Sequence, residues 1–292
     1  RGTVAIGWVS DWVASGAFYV IEDPSDCEKL GHAITDDEML FVRQILKGTI
    51  RTNGAKKILV YALAPTGAVS ASKTLGNLTA TAKNAGAYGN NLSVSIVAAD
   101  SDFEVTTYLK GEAVDSQIGA TVSDLENNDW VTFSGSGALA AGSGDLTGGV
   151  NGTASSTAYA SFLAALQTES FDVLIYDGTD ATVKSLIADF VKSQSNNEGN
   201  KCQAVMSDYA SADNECVISV YPQSITLIDG TILSAGQVCW WVGGATAGAN
   251  VNESLTYANH PDAADVSPKL TASQQEAAIT AGKFAFIAQF EK

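Results

Sequence analysis

Phe171-Asp-Val-Leu-Ile-Tyr176-Asp177-Gly-Thr-Asp180-Ala-Thr-Val183-Lys-Ser-Leu186-Ile187-Ala-Asp-Phe190-Val191 decides the fold class. Residues 171–176 form an apolar run of strand length, the pattern of a strand buried on both faces. A polar turn follows, in which Asp180 reads as an N-cap. Val183, Leu186, Ile187, Phe190 and Val191 then recur at helical spacing and give one apolar face. Strand, turn and amphipathic helix make a βα unit, and such units build α/β sheets.

Working outward, the same grammar recurs. Upstream, residues 57–63 are a second continuous apolar run, and residues 3–9 and 17–22 read as short strands. Thr35-Asp-Asp-Glu38 has the form of a capping box, followed by an apolar face at Met39, Val42 and Leu46 and a stop at Gly48. Tyr159, Phe162, Leu163 and Leu166 share one helical face. Downstream, residues 202–207 and 216–221 read as strands, and residues 225–233 as a hairpin turned by Asp229-Gly230. Residues 234–249 read as an apolar, small-residue helix. Residues 271–281 read as a helix closed by Gly282 ahead of a last strand at 283–289.

Between 66 and 154 the pattern changes. Gly, Ala, Ser, Thr and Asn dominate, and apolar residues alternate, as in Leu92-Ser-Val94-Ser-Ile96 and Val131-Thr-Phe133. The expected organisation is an α/β body, a mixed sheet with flanking helices, from 1–65 and 155–292. It carries an inserted small all-β barrel or sandwich at 66–154.

Composition narrows the function classes. Sixteen basic residues against 32 acidic ones leave a net charge of −16 over 292 residues, a surface that repels phosphate backbones and anionic lipid. Direct nucleic-acid binding and membrane insertion are therefore not expected. The longest apolar stretch, near Val238 to Ala249, is shorter than the ~20 residues that span a bilayer. Cys27, Cys202, Cys216 and Cys239 form no C-x-x-C pair and read as reduced, structural thiols, suited to a cytosolic compartment.

The search for chemistry yields fragments. Gly67-Ala-Val-Ser-Ala-Ser72-Lys73-Thr74 approximates a phosphate-binding P-loop, but Ser72 stands where the second Gly should be and no amphipathic helix follows. A nucleotide-binding enzyme built on residues 67–74 is one alternative, and a surface-exposed adhesin-like module another. The glycine-rich run 142–149 follows no βα pattern. His32 and His260 are tied to no nucleophile and read as loop histidines, and no His/Cys pair has metal-ligand spacing. Asp100 and Asp102 read as a solvated turn. Asp36, Asp37 and Glu38 complement a helix dipole. Asp177 and Asp180 lie beyond a strand's C-terminal end, where open α/β sheets bind ligands, but turn and N-cap roles account for them. Trp240-Trp241 reads as one ring in the core and one offered to a domain or subunit contact. The expectation is no catalytic, cofactor-binding or metal-binding residue, and no cofactor.

Three segments, in order, resemble the tail sheath proteins of contractile phages, prophages and R-type bacteriocins. Gly86-Ala-Tyr-Gly89-Asn90-Asn91-Leu92-Ser93-Val94 is similar to the family's G-x-x-G-N-[DN]-L-x-V segment. Leu146-Thr-Gly148-Gly149-Val-Asn-Gly152 is similar to its L-x-G-G-x-[DN]-G run. Residues 234–249 followed by Val251-Asn252-Glu-Ser254-Leu-Thr256 resemble its small-residue helix and N-x-S-x-T stretch. The resemblance implies a non-enzymatic virion subunit, made in the bacterial host cytoplasm, that polymerises helically with its own copies around a tail tube protein. It also implies contacts with baseplate and tail terminator proteins, and contraction that drives the tube through a host envelope. Family members carry a further C-terminal polymerisation domain and terminal arms. Because residue 1 is Arg and residue 292 is Lys, the ends read as cut, and these parts are expected to be absent.

Overall fold

The computed structural model describes residues 2–209, 214–250 and 252–288. Val251 of the N-x-S-x-T stretch and Gln289 of the expected last strand lie outside the described residues. From the N-terminus run strands β1 (Thr3–Trp8) and β2 (Phe18–Ile21), helix α1 (Leu40–Lys47) and β3 (Lys57–Ala62). The β-rich stretch supplies β4 (Pro65–Thr66), β5 (Ser72–Leu75), β6 (Leu78–Ala82), β7 (Leu92–Ala99), β8 (Asp102–Leu109), β9 (Glu112–Gly119), β10 (Val131–Gly135), β11 (Gly142–Asp145) and β12 (Thr153–Ala154). Then come α2 (Ser156–Leu166), β13 (Val173–Tyr176), α3 (Ala181–Asn196), β14 (Gln203–Ser207) and β15 (Val217–Val220). The chain continues through β16 (Ser224–Leu227), β17 (Ile232–Leu233), α4 (Val238–Gly248), β18 (Ala263–Ser267), α5 (Ala272–Thr280) and β19 (Lys283–Phe284). No helix among the described residues is long and apolar enough to cross a membrane.

The body is a mixed sheet in the order β19-β15-β14-β13-β1-β3-β2. Neighbours from β1 through β13, β14 and β15 to β19 run parallel, with Ala5 opposite Leu174 and Ile175 opposite Val205, and β2 closes the far edge antiparallel to β3. Val4, Ala5 and Ile6, then Val173, Leu174 and Ile175, then Ala204, Val205 and Met206 are all buried, without regard to odd or even position. That is why these strands read as apolar runs: both sheet faces are covered. Helix α4 packs on α1 and across β13 and β14, and α3 packs on β14. The expected hairpin is present as β16–β17, with Gly230 at positive φ in its turn, and β18 joins it on the other side of β16.

The β-rich unit holds two antiparallel sheets, β10-β6-β5 and β11-β7-β8-β9, which makes it a sandwich rather than a barrel. Leu92, Val94 and Ile96 are buried while Ser93 and Ser95 between them are half-buried, the period-2 pattern of a strand with one face inward. Leu78, Val105, Val131, Leu139 and Leu146 complete its core, with Trp12 and Trp130 packed against it. The strands β4 and β12 pair antiparallel, Thr66 opposite Thr153, so the chain's exit from the body and its return run side by side.

The chain divides into two compact units, Arg1–Trp8 with Phe18–Tyr61 and Tyr159–Lys292, and Val9–Ala17 with Ala62–Ala158. Residues 9–17, which the sequence reading placed in the body, group with the sandwich: Trp12 lies 5.0 Å from the Tyr88 ring, and the Asp11 carbonyl accepts the Tyr88 amide at 3.3 Å.

One local expectation is corrected. Thr35 does not cap a helix. Helix α1 starts at Leu40, after a 3-10 turn at Asp37–Met39 whose N-cap, Asp36, makes no capping bond. The Asp36 carboxylate instead accepts the amide of Ala33 at 3.1 Å, drawn back toward the preceding turn. A capping box does exist, but upstream: Asp23 and Asp26 close the start of the 3-10 helix Pro24–Leu30. Gly48 ends α1 as expected.

Candidate functional site

The segment that approximates a P-loop is spent on the sandwich. Ser72–Leu75 forms β5, where Ser72 pairs with Thr81 and its amide donates to the Thr147 carbonyl at 2.9 Å, while the Val69 amide donates to Val150. Amides committed to a ladder cannot wrap a phosphate, so the nucleotide-binding alternative loses its site.

At the C-terminal edge of the parallel sheet, where ligands bind in such folds, the two acidic side chains are engaged by the protein's own groups. Asp177 follows β13 and accepts the indole N–H of Trp240 at 2.9 Å. Burial raises its pKa, and the Trp240 hydrogen bond opposes that rise. Asp180 is the N-cap of α3 and accepts the amides of Thr182 at 2.7 Å and Val183 at 3.2 Å. Asp180 thus caps α3, and Asp177 ties the end of β13 to α4. A cleft of about 600 Å³ opens at the opposite edge of the sheet. Gly2, Asp172, Cys202 and Cys216, at the N-terminal ends of four strands, help to line it.

Trp240-Trp241 is a second correction. Both rings are buried in the body, rather than one being offered outward. Trp241 donates to the Gly48 carbonyl and lies 4.9 Å from the His260 ring, while Trp240 lies 6.2 Å from Phe41. His260 is likewise no open loop residue. Its Nε2 pairs with Gln44 Oε1 at 2.9 Å, and its Nδ1 accepts the Asp262 amide at 3.2 Å. That pair of contacts fixes the neutral tautomer with the proton on Nε2. Burial, helped by the nearby Lys47 ammonium, pushes its pKa down to about 4. The four cysteines are buried thiols, and burial pushes those of Cys27 and Cys202 up to about 11.

The motif residues meet one another. Asn90 Nδ2 donates to the Gly149 carbonyl at 2.9 Å, and the Gly149 amide donates back to Asn90 Oδ1 at 2.8 Å. Asn151 Oδ1 accepts the Ala87 amide at 2.7 Å. A side chain on Gly149 would strike the Gly86 carbonyl, so glycine is required for this approach. The 86–94 and 146–152 segments therefore form a reciprocal amide clasp across 59 residues of chain. In the third segment Ser254 Oγ accepts the Thr256 amide at 3.1 Å, a local turn. Sequence reasoning also missed a grouping that the fold assembles at His32, Asp36 and Glu38; its spacing, H-x-x-x-D-x-E, was the available signal.

An α/β body with a β-sandwich carried between two of its elements, closed by a motif clasp, defines the class. The chain belongs to the phage tail sheath protein family: residues 52–151 match its beta-sandwich domain and residues 152–291 its central domain. The phage-like element PBSX protein XkdK of Bacillus subtilis is 33% identical over 311 residues, covering 98% of this chain and 65% of that protein. The uncharacterized protein YqbK of the same organism matches equally, at 33% over 310 residues. The chain thus spans about 65% of the length of these relatives. Among solved structures, the sheath tail protein of Desulfitobacterium hafniense superposes with a TM-score of 0.88 at 39% identity, covering 99% of this chain and 69% of that one. The sheath tail protein of Listeria innocua superposes at 0.80 with 32% identity, over 99% and 66%.

Proposed function

We propose that this chain is the body of a structural subunit of a contractile tail sheath. Copies assemble helically around a tail tube in the host cytoplasm, meet baseplate and terminator proteins at the two ends, and contract to drive the tube through an envelope. The observation that carries this reading is the match of both units, in family order, to sheath domains, together with a sheath tail protein structure that follows 99% of the chain. A non-catalytic role is supported by the use made of each candidate group. The β5 amides are in a ladder, Asp177 accepts the Trp240 indole, Asp180 caps α3, and His260 is locked by Gln44 and Asp262.

Negative-stain electron microscopy of the intact gene product tests this reading. Hollow tubes of uniform diameter with a helical repeat are expected. A product that stays dispersed across a range of salt, pH and protein concentration would overturn it.

A further inference from the structure

We propose that His32, Asp36 and Glu38 form a binding site for a first-row divalent cation, with zinc as the ion that suits them best. Among the described residues, this is the one grouping of three metal-ligating side chains. All three come from the short connection between the 3-10 helix Pro24–Leu30 and α1, which Gly31 turns at φ 85°.

The geometry fits a metal. His32 Nδ1 lies 3.4 Å from Asp36 Oδ2 and 3.8 Å from Glu38 Oε2, and all three ligand atoms lie within 4.8 Å of one another. Tetrahedral zinc with bonds of about 2.0–2.1 Å places its ligand atoms about 3.3 Å apart. The His32–Asp36 edge already has nearly that length, and the His32–Glu38 edge needs a shift of about half an ångström. The Asp36–Glu38 edge, within 4.8 Å, needs one of at most about 1.5 Å, which a half-exposed Glu38 side chain can make. One imidazole with two carboxylates is a donor set zinc accepts, leaving its fourth position to water.

The charge arrangement points the same way. Two carboxylates converging on one ring nitrogen repel each other. A protonated imidazole has a single Nδ1–H, which can be directed at one of them. A divalent cation takes a lone pair from all three and cancels both negative charges. The surroundings also hold the ligands in place. The His32 side chain is 2% exposed and its ring stands edge-on to Trp8 at 6.3 Å. The Ala33 amide donates to Asp36 Oδ2, and Arg43 donates to the carbonyls of Ile34 and Asp36, fixing the backbone that carries the ligands. Such outer contacts orient metal ligands. Asp36 and Glu38, at 26% and 49% exposed, leave the entry path on the solvent side.

Calorimetric titration of the 292-residue chain with zinc chloride tests the site, together with ¹⁵N spectroscopy of its two histidine rings. One equivalent of zinc is expected to bind, with the Nδ1 resonance of His32 shifting and that of His260 unmoved. Glu38→Gln removes a ligand from an exposed position where folding is not at stake. It should weaken binding by at least the roughly 10–100-fold that loss of an outer-shell partner costs. Asp36→Asn should do the same. Absence of stoichiometric binding would overturn the proposal, as would binding that leaves the His32 ring unshifted or Glu38→Gln unaffected.

Discussion

At the scale of single residues, His260 is a buried imidazole whose environment bears on stability between neutral and acid pH. It is neutral in the folded protein because burial and the Lys47 ammonium hold its pKa at about 4, against 6.5 for an ordinary histidine. Between those two values the unfolded chain takes up a proton that the folded one refuses, so stability falls as pH drops from about 6.5 toward 4. Above 6.5 both forms are neutral and the contribution is flat. Urea unfolding should show the wild-type chain losing about 2 kcal/mol more than His260→Gln between pH 7 and pH 4.5. Equal losses in the two proteins would mean that His260 titrates freely. Little of this was legible in the sequence, where Asn-His-Pro-Asp reads as a surface turn. The burial depends on Gln44 and Trp241, which reach His260 only through the fold. The Asn90–Gly149 clasp was out of reach for the same reason, since no local pattern links residues 59 apart.

At the scale of elements, legibility followed the number of faces each element buries. Strands β3 and β13 and helices α2 and α3 carried clear periods or runs, and the structure places them as read. Helix α4 did not reveal which side faces what, because it is buried nearly all round and a uniformly apolar helix has no moment. Its small residues do carry information. A side chain at Gly244 would collide with the carbonyl oxygen of Ile45, so the crossing of α4 over α1 requires glycine there. Gly244→Ala should accordingly destabilise the body by about 1–3 kcal/mol, the usual range for overpacking a core, despite alanine's better helix propensity. A denaturant midpoint equal to or above the wild type would show that the two helices can separate without loss. The start of α1 was misread because a hydroxyl followed by a carboxylate three residues on fits a capping box in either context. Only the fold shows that the cap position falls on Asp36, one residue later, and that its carboxylate turns back to the Ala33 amide.

At the scale of the whole molecule, the sequence texture changes near Pro65, while residues 9–17, which belong to the same compact unit as Ala62–Ala158, have mixed polarity and no period. The sandwich has its own buried apolar cluster, and the body buries the apolar residues of β1, β13 and β14, which is the physical condition for separate folding. Deleting residues 67–152 and joining Thr66 to Thr153 through a short turn should leave a cooperatively unfolding α/β remainder, followed by far-UV circular dichroism in urea. A deletion product without a transition would place part of the body's stability in the sandwich. The β4–β12 pair makes such a splice feasible, and its consequence extends past one deletion. Two strands paired side by side sit about 5 Å apart, so at this crossing the chain leaves and returns across that gap alone. Loop-closure entropy then grows by only about 0.6 kcal/mol for each doubling of an unstructured insert, and for a folded insert with adjacent ends it hardly enters. The stretch beyond this neck can therefore lengthen or be exchanged, provided the two paired residues on each side keep their register and residues 9–17 keep their seat against Tyr88.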